Sequence, residues 1–168
     1  IYDTYKPVAE SKIQKINESF AKNSNVVYTG ENTSAETTER VEVDTSPYEN
    51  ATVVYLASNG MGNGSNANSA VSTMSAALDC LDLTKDCTVV VCGNYIQNET
   101  FVYTDTFDGT VTVTSNYGGV DYRESGATYT VSAVRFVCSG EYIFRDIDFN
   151  LVGNFYYFVA NHYPFTLD

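Results

Sequence analysis

The sequence predicts an all-β protein, a right-handed parallel β-helix with an N-terminal capping helix. Three observations point there. After residue 51 the chain breaks into short β-branched and aromatic runs separated by Gly, Asn and Asp. Val89 to Val111 spans 22 residues and Val111 to Val134 spans 23, a repeat expected of a solenoid with one coil per period. A single amphipathic helix stands between the first two strands, at the head of the series.

Residues 1–50 read as a lead-in of one helix and an extended linker, and residues 51–168 as the cap and first coils. Within the lead-in, Ile13, Ile16 and Phe20 recur at helical spacing behind Ser11 as N-cap, so Ser11 to Ala21 is expected to be helical. One apolar stripe that short needs a body to pack on. From Asn23 to Thr45 the chain is polar, interrupted by Val26-Val27-Tyr28 and Val41-Glu42-Val43. It reads as a linker laid along the β body, or as a partly disordered tether.

The cap begins with a strand at Thr52–Leu56. The loop Ser58–Asn66 follows, dense in the Gly and Asn that tolerate left-handed backbone. The spacing of Val71, Met74, Leu78 and Leu81 predicts a helix from about Asn68 to Leu81, capped by Asn68 or Ser69. Such a helix can close the open end of a β stack, which otherwise exposes core side chains and unpaired backbone. Strands are then expected at Thr88–Cys92, Phe101–Tyr103, Thr110–Thr114, Thr128–Cys138, Tyr142–Asn150 and Phe155–Ala160. Val111 and Val113 alternate with Thr110, Thr112 and Thr114, as inward and outward positions should. No second long helix is predicted, which excludes a doubly wound α/β fold. An antiparallel sandwich, whose turns fall at similar spacing, is the competing architecture.

Composition narrows the partners. The formal charge is −12. That excludes nucleic acid and anionic membrane surfaces, and disfavours a polyanionic substrate unless calcium bridges the two. No apolar run approaches the ~20 residues a membrane helix needs, so no membrane insertion is expected. The start Ile1-Tyr2-Asp3-Thr4-Tyr5-Lys6 has no leader character, and the segment reads as a mature form or a piece of something longer. The acidic balance fits solubility outside cells.

Four cysteines, Cys80, Cys87, Cys92 and Cys138, admit three full pairings and form no Cys-x-x-Cys. They read as disulfide candidates, with Cys80 to Cys87 able to tie helix to strand, or as four small buried hydrophobes. The best polar cluster is Asp121-Tyr122-Arg123-Glu124 beside Tyr117. A carboxylate, a guanidinium and two tyrosines on one loop can grip a sugar by hydrogen bonds and ring stacking. The same residues also read as a solvated turn with a local Arg–Glu pair, the reading we favour. Asp146 and Asp148 share a face if their run is a strand, and with Asn150 make an oxygen-rich row able to take calcium, or simply a wet face. No catalytic constellation is legible: His162 has no Gly-x-Ser-x-Gly elbow to serve and reads as structural or exposed. No cofactor other than that calcium is implied.

Residues Thr52–Gly60, the Gly/Asn loop, Ala70, Met74–Leu78 and Cys87–Tyr95 together resemble a known family. They are similar to the N-terminal cap and first coil of pectin-lyase-like right-handed β-helices, with a strand, a Gly/Asn loop, an Ala-Ala-Leu helix and a strand ending in Gly-x-Tyr. Gly109–Tyr122 and Phe144–Phe149 look like the following coils in large surface proteins of gut Firmicutes. The resemblance covers roughly residues 52–168 and implies fold more than function, because such β-helices serve as lyases, hydrolases, adhesins and stalks. Their active sites sit on central coils, which implies no catalytic residue here. The expected function is therefore a non-catalytic extracellular segment, a surface stalk, adhesin or fibre-forming unit. The coil pattern runs to Thr166-Leu167-Asp168 without a second cap, so self-association through that edge is expected. The alternative is the N-terminal part of a carbohydrate-active enzyme, a lyase or glycoside hydrolase, or a glycan-binding module.

Overall fold

The β-branched and aromatic runs become strands that pair side by side in parallel. The computed structural model describes residues 41–103, 108–132, 135–153 and 164–168. The expected Ser11–Ala21 helix, the run Phe155–Ala160 and His162 lie outside them. Residues 42–168 form one compact unit.

One sheet carries five strands in the order β1 (Val53–Leu56), β2 (Cys87–Val91), β5 (Thr110–Thr114), β10 (Glu141–Arg145) and β12 (Phe165–Leu167), all parallel. A second joins β3 (Tyr95–Gln97), β8 (Tyr129–Ser132) and β11 (Phe149–Val152), again parallel. A third pairs β4 (Phe101–Tyr103) with β9 (Phe136–Cys138) in parallel. The exception is a two-stranded antiparallel hairpin of β6 (Asn116–Tyr117) and β7 (Val120–Asp121). The protein is thus mostly β, with one six-residue α-helix and two 3-10 turns among the described residues.

Registers stack like on like. Val54, Val89, Val113 and Phe144 occupy one cross-strand row, and all are buried. Tyr95, Tyr129 and Phe149 occupy another, with ring centroids 4.9 and 5.4 Å apart. Phe101 faces Phe136 at 4.8 Å. These inward side chains form one core with Met74, Ala77 and Leu78 of the helix. Burying such rings contributes both area and edge-to-face contact.

Several sequence expectations are corrected. Val89 pairs with Val113, and Val111 with Cys87, so the spacing between β2 and β5 is 24 residues, not 22. Side chains repeat every two residues along a strand, so a register slipped by two presents the same faces and the pattern cannot tell them apart. Between β5 and β10 the spacing is 31, as Val111 to Tyr142 shows, because an insertion follows β5. The run Thr128–Cys138 is two strands, β8 and β9. The run Tyr142–Asn150 is also two, split by a turn in which Asp146 takes a positive φ of 50°. Strands β3 and β12 were not among the expected strands.

The helix is shorter than its apolar stripe. Asn66 caps a 3-10 turn at Ala67–Ser69, its side chain accepting from the Asn68 and Ser69 N–H groups. Val71 then runs extended and bridges Leu56, donating its N–H to Tyr55 and accepting from Ala57. Only at Thr73, whose hydroxyl accepts from Ala76 N–H, does the helix α1 (Met74–Asp79) begin. Val71 and Leu81 lie on the stripe yet bury from extended chain, each through a parallel bridge. Ahead of β1, residues 44–48 rest on the Gly/Asn loop: Asn63 N–H donates to the Asp44 carbonyl and Asp44 N–H to Ser69 Oγ, both at 2.8 Å.

Candidate functional site

The insertion between β5 and β8 holds the polar cluster read from the sequence. Gly118 and Gly119 both take positive φ, 63° and 82°, the geometry of a type I′ turn, and they close the β6–β7 hairpin. Asp121 then caps a 3-10 turn at Tyr122–Ser125, which ends on Gly126 in the left-handed region. Asp121 Oδ1 accepts from Arg123 N–H at 3.0 Å and from Nε at 2.9 Å, while Oδ2 accepts from Nη2 at 2.7 Å. The guanidinium reaches on to Asp146 Oδ1, 3.4 Å away.

The expected Arg–Glu pair is therefore an Arg–Asp fork, and Glu124 stands exposed in the 3-10 turn. The fork geometry suits guanidinium and carboxylate, and each fixes the other's charge. Hydrogen bonding from Arg123 holds the Asp121 carboxyl below its usual range, and Asp121 in turn drives the Arg123 pKa further up. Nε and Nη2 are engaged by Asp121 within the insertion, and the contact to Asp146 is what ties this partly exposed cluster to the body.

Tyr117 and Tyr122 do come together, but around a residue the sequence reading did not single out. Their rings meet Tyr55 of β1 edge-on, with centroids 6.4 and 6.3 Å away. Burial raises the hydroxyl pKa of Tyr55 and of Tyr122, with Tyr122 and Cys92 respectively as the next cause. Tyr55 lies in register with Val90 and Val90 with Thr114. By alternation Val90 faces outward, yet it is 0% exposed. The signal was present in the unbroken run Val89-Val90-Val91, which marks a strand covered on both faces.

Asp146 and Asp148 fall in the turn between β10 and β11, so the strand face that would have aligned them is absent. Asp146 faces Arg123, and the Asp148 carbonyl accepts from Tyr129 N–H at 2.9 Å. Among the described residues no three His, Cys, Asp or Glu side chains converge as metal ligands. No protein-family model, curated protein or solved structure matches the chain.

Cys80, Cys87 and Cys92 are free thiols, and the Cys138 side chain lies outside what is described. Cys80 Sγ contacts the Asn63 carbonyl at 3.7 Å, whereas Cys87 Sγ contacts those of Asp82 and Lys85 at 3.2 and 3.3 Å. Burial pushes all three pKa values up, which keeps them protonated and poorly nucleophilic at neutral pH. A groove of about 630 Å³ lies between the start of α1 and the β3–β4 turn. Ser72, Thr73, Ser75, Asn98 and Thr100 give it hydroxyl and amide groups, and Glu99 a carboxylate. Among the described residues no helix is long and apolar enough to cross a membrane.

Proposed function

We propose that the three parallel sheets are faces of one right-handed parallel β-solenoid, related to the pectin-lyase-like β-helices, with α1 covering its first end. Its function is that of a non-catalytic extracellular structural segment, a stalk, adhesin or fibre unit. The observation that carries the reading is the order of the strands. β2, β3 and β4 each find their partner one circuit later, in β5, β8 and β9, with equivalent side chains stacked inward. A backbone that returns to the same sheet at each circuit makes an elongating rod whose core grows with it. At the first end, Ser58 Oγ accepts from Ile96 N–H at 2.8 Å, which occupies part of the outer edge of β3. The outer edge of β12 is the surface through which copies would pair.

Sedimentation analysis and electron microscopy across a concentration series test the assembly. Rods or fibres growing with concentration support it, and a monomer at every concentration removes the fibre role.

The groove beside α1 favours a second reading, binding of a glycan without turnover. Its hydroxyl, amide and carboxylate groups are the hydrogen-bond partners that sugar hydroxyls take. A glycan array decides between the two. Signal lost in Thr100→Ala but kept in Tyr122→Ala assigns binding to the groove, and the reverse assigns it to the tyrosine insertion. No signal on the wild-type chain leaves the structural role alone.

A further inference from the structure

The insertion of residues 116–126 is built apart from the sheets it lies on. Among the described residues, its backbone hydrogen bonds close within the segment or on its own roots. β6 pairs with β7, Tyr122 N–H donates to Ser115, Gly126 N–H to Arg123, and Ala127 N–H to Tyr122. The roots are fixed: Ser115 N–H donates to the Asp146 carbonyl, and the Thr128 carbonyl accepts from Tyr95 N–H. What joins the insertion to the body is side chains: Tyr117 and Tyr122 on Tyr55, and Arg123 on Asp146. Beneath it, the outward row of Tyr55, Val90 and Thr114 is withdrawn from water, with Val90 and Thr114 buried. The hinge at Gly126 has open space where a Cβ would stand, and so has the hairpin tip at Gly118 and Gly119.

We infer that residues 116–126 form a hinged flap, latched by Tyr122 on Tyr55 and by Arg123 on Asp146, that opens as a unit to uncover an apolar strip on the β1–β2–β5 sheet. Opening breaks no ladder hydrogen bond, so it proceeds while the sheets stay intact. It exposes Tyr55 and Val90, and opens one side of the half-buried Cys92, which lies two residues past Val90 with its thiol on the Leu56 and Ala67 carbonyls at 3.6 and 3.9 Å. The flap is a conformational device that makes an apolar face available or hides it.

Cys92 reports the motion. Alkylation by iodoacetamide under native conditions, followed by peptide mass mapping, gives its rate against Cys80, whose thiol lies on the Asn63 carbonyl and touches no residue of the flap. Arg123→Ala is expected to speed Cys92 by about two- to fivefold, the effect of one partly exposed ion pair. Tyr122→Ala removes a buried ring contact and is expected to speed it by about tenfold or more. Cys80 should hold its wild-type rate in both. Replacing residues 117–125 with Gly-Gly should give the fastest Cys92 and an unchanged far-ultraviolet β spectrum. A Cys92 rate at the wild-type value in Tyr122→Ala and in the Gly-Gly variant overturns the flap. So does loss of the β spectrum on excision, or a rise of Cys80 and Cys92 together, since either means the insertion is part of the sheet fold.

Discussion

At position 97 a glutamine stands where the inward alternation calls for an apolar side chain, and it is 3% exposed. Both ends of its amide are used: Nε2 donates to the Arg135 carbonyl at 2.9 Å, and Oε1 accepts from the Tyr129 hydroxyl at 2.7 Å. A buried polar group is tolerable only when paired in this way. Tyr129→Phe keeps the ring in its stack but leaves Oε1 without that donor. We expect it to destabilise the fold by about 1–3 kcal/mol in denaturant unfolding. An unchanged midpoint would mean that water reaches Gln97. The acidic residues offer a second test. Asp82, in the turn before β2, accepts from Thr84 N–H and Oγ1 and pairs with Lys85. Lys85 foremost holds its pKa at about 2, below the ordinary 3.8. A depressed carboxyl stabilises the fold above the unfolded value, and that contribution is lost as pH falls from about 4 towards 2. Carbon-13 titration of the Asp82 carboxyl should show the low value and its return towards 3.8 in Lys85→Ala. An Asp82 pKa indifferent to Lys85 would contradict the pairing.

The turns between elements carry equally specific demands. Asp108 and Gly109 lead into β5, and both N–H groups donate to the Leu83 carbonyl at 3.2 Å. That approach is so close that a Cβ on Gly109 would stand 1.9 Å from the Lys85 carbonyl oxygen. Backbone must move to admit it, so Gly109→Ala should cost about 1–3 kcal/mol or more in thermal or denaturant unfolding. A neutral substitution would mean that this turn and the start of β5 can separate freely. Elements of this kind were partly legible in the sequence. Phe101–Tyr103 and Thr110–Thr114 stand where the β-branched and aromatic pattern placed them. The α1 stripe was legible as burial but not as helix, because Val71 and Leu81 bury from extended chain through bridges to Leu56 and Ala51. Asp146 broke a run that looked continuous by adopting a left-handed angle, open to Asp more than to most residues but not required of it. The polar cluster was legible as a cluster. Its role was not, since Tyr55 and Asp146 come from β1 and the β10–β11 turn and only folding brings them to Tyr122 and Arg123.

For the molecule as a whole, the central claim is that successive circuits of chain stack in parallel to make one solenoid. Its inward rows predict a core continuous from Val54 through Val89 and Val113 to Phe144. The net charge of −12 keeps the outside hydrated while that core stays apolar. An antiparallel sandwich is the architecture the same strand lengths and turn spacings also permit. The two differ in which protons approach across strands, because antiparallel neighbours bring alternate α-protons face to face and parallel ones do not. The most direct measurement is therefore nuclear Overhauser spectroscopy of the isotopically labelled chain. Parallel stacking predicts that Val113 shows interstrand contacts to both Val89 and Phe144, with no close α-proton to α-proton contact between β2, β5 and β10. Strong α-proton pairs between those strands, or a Val113 that reaches only one of its two neighbours, would contradict it.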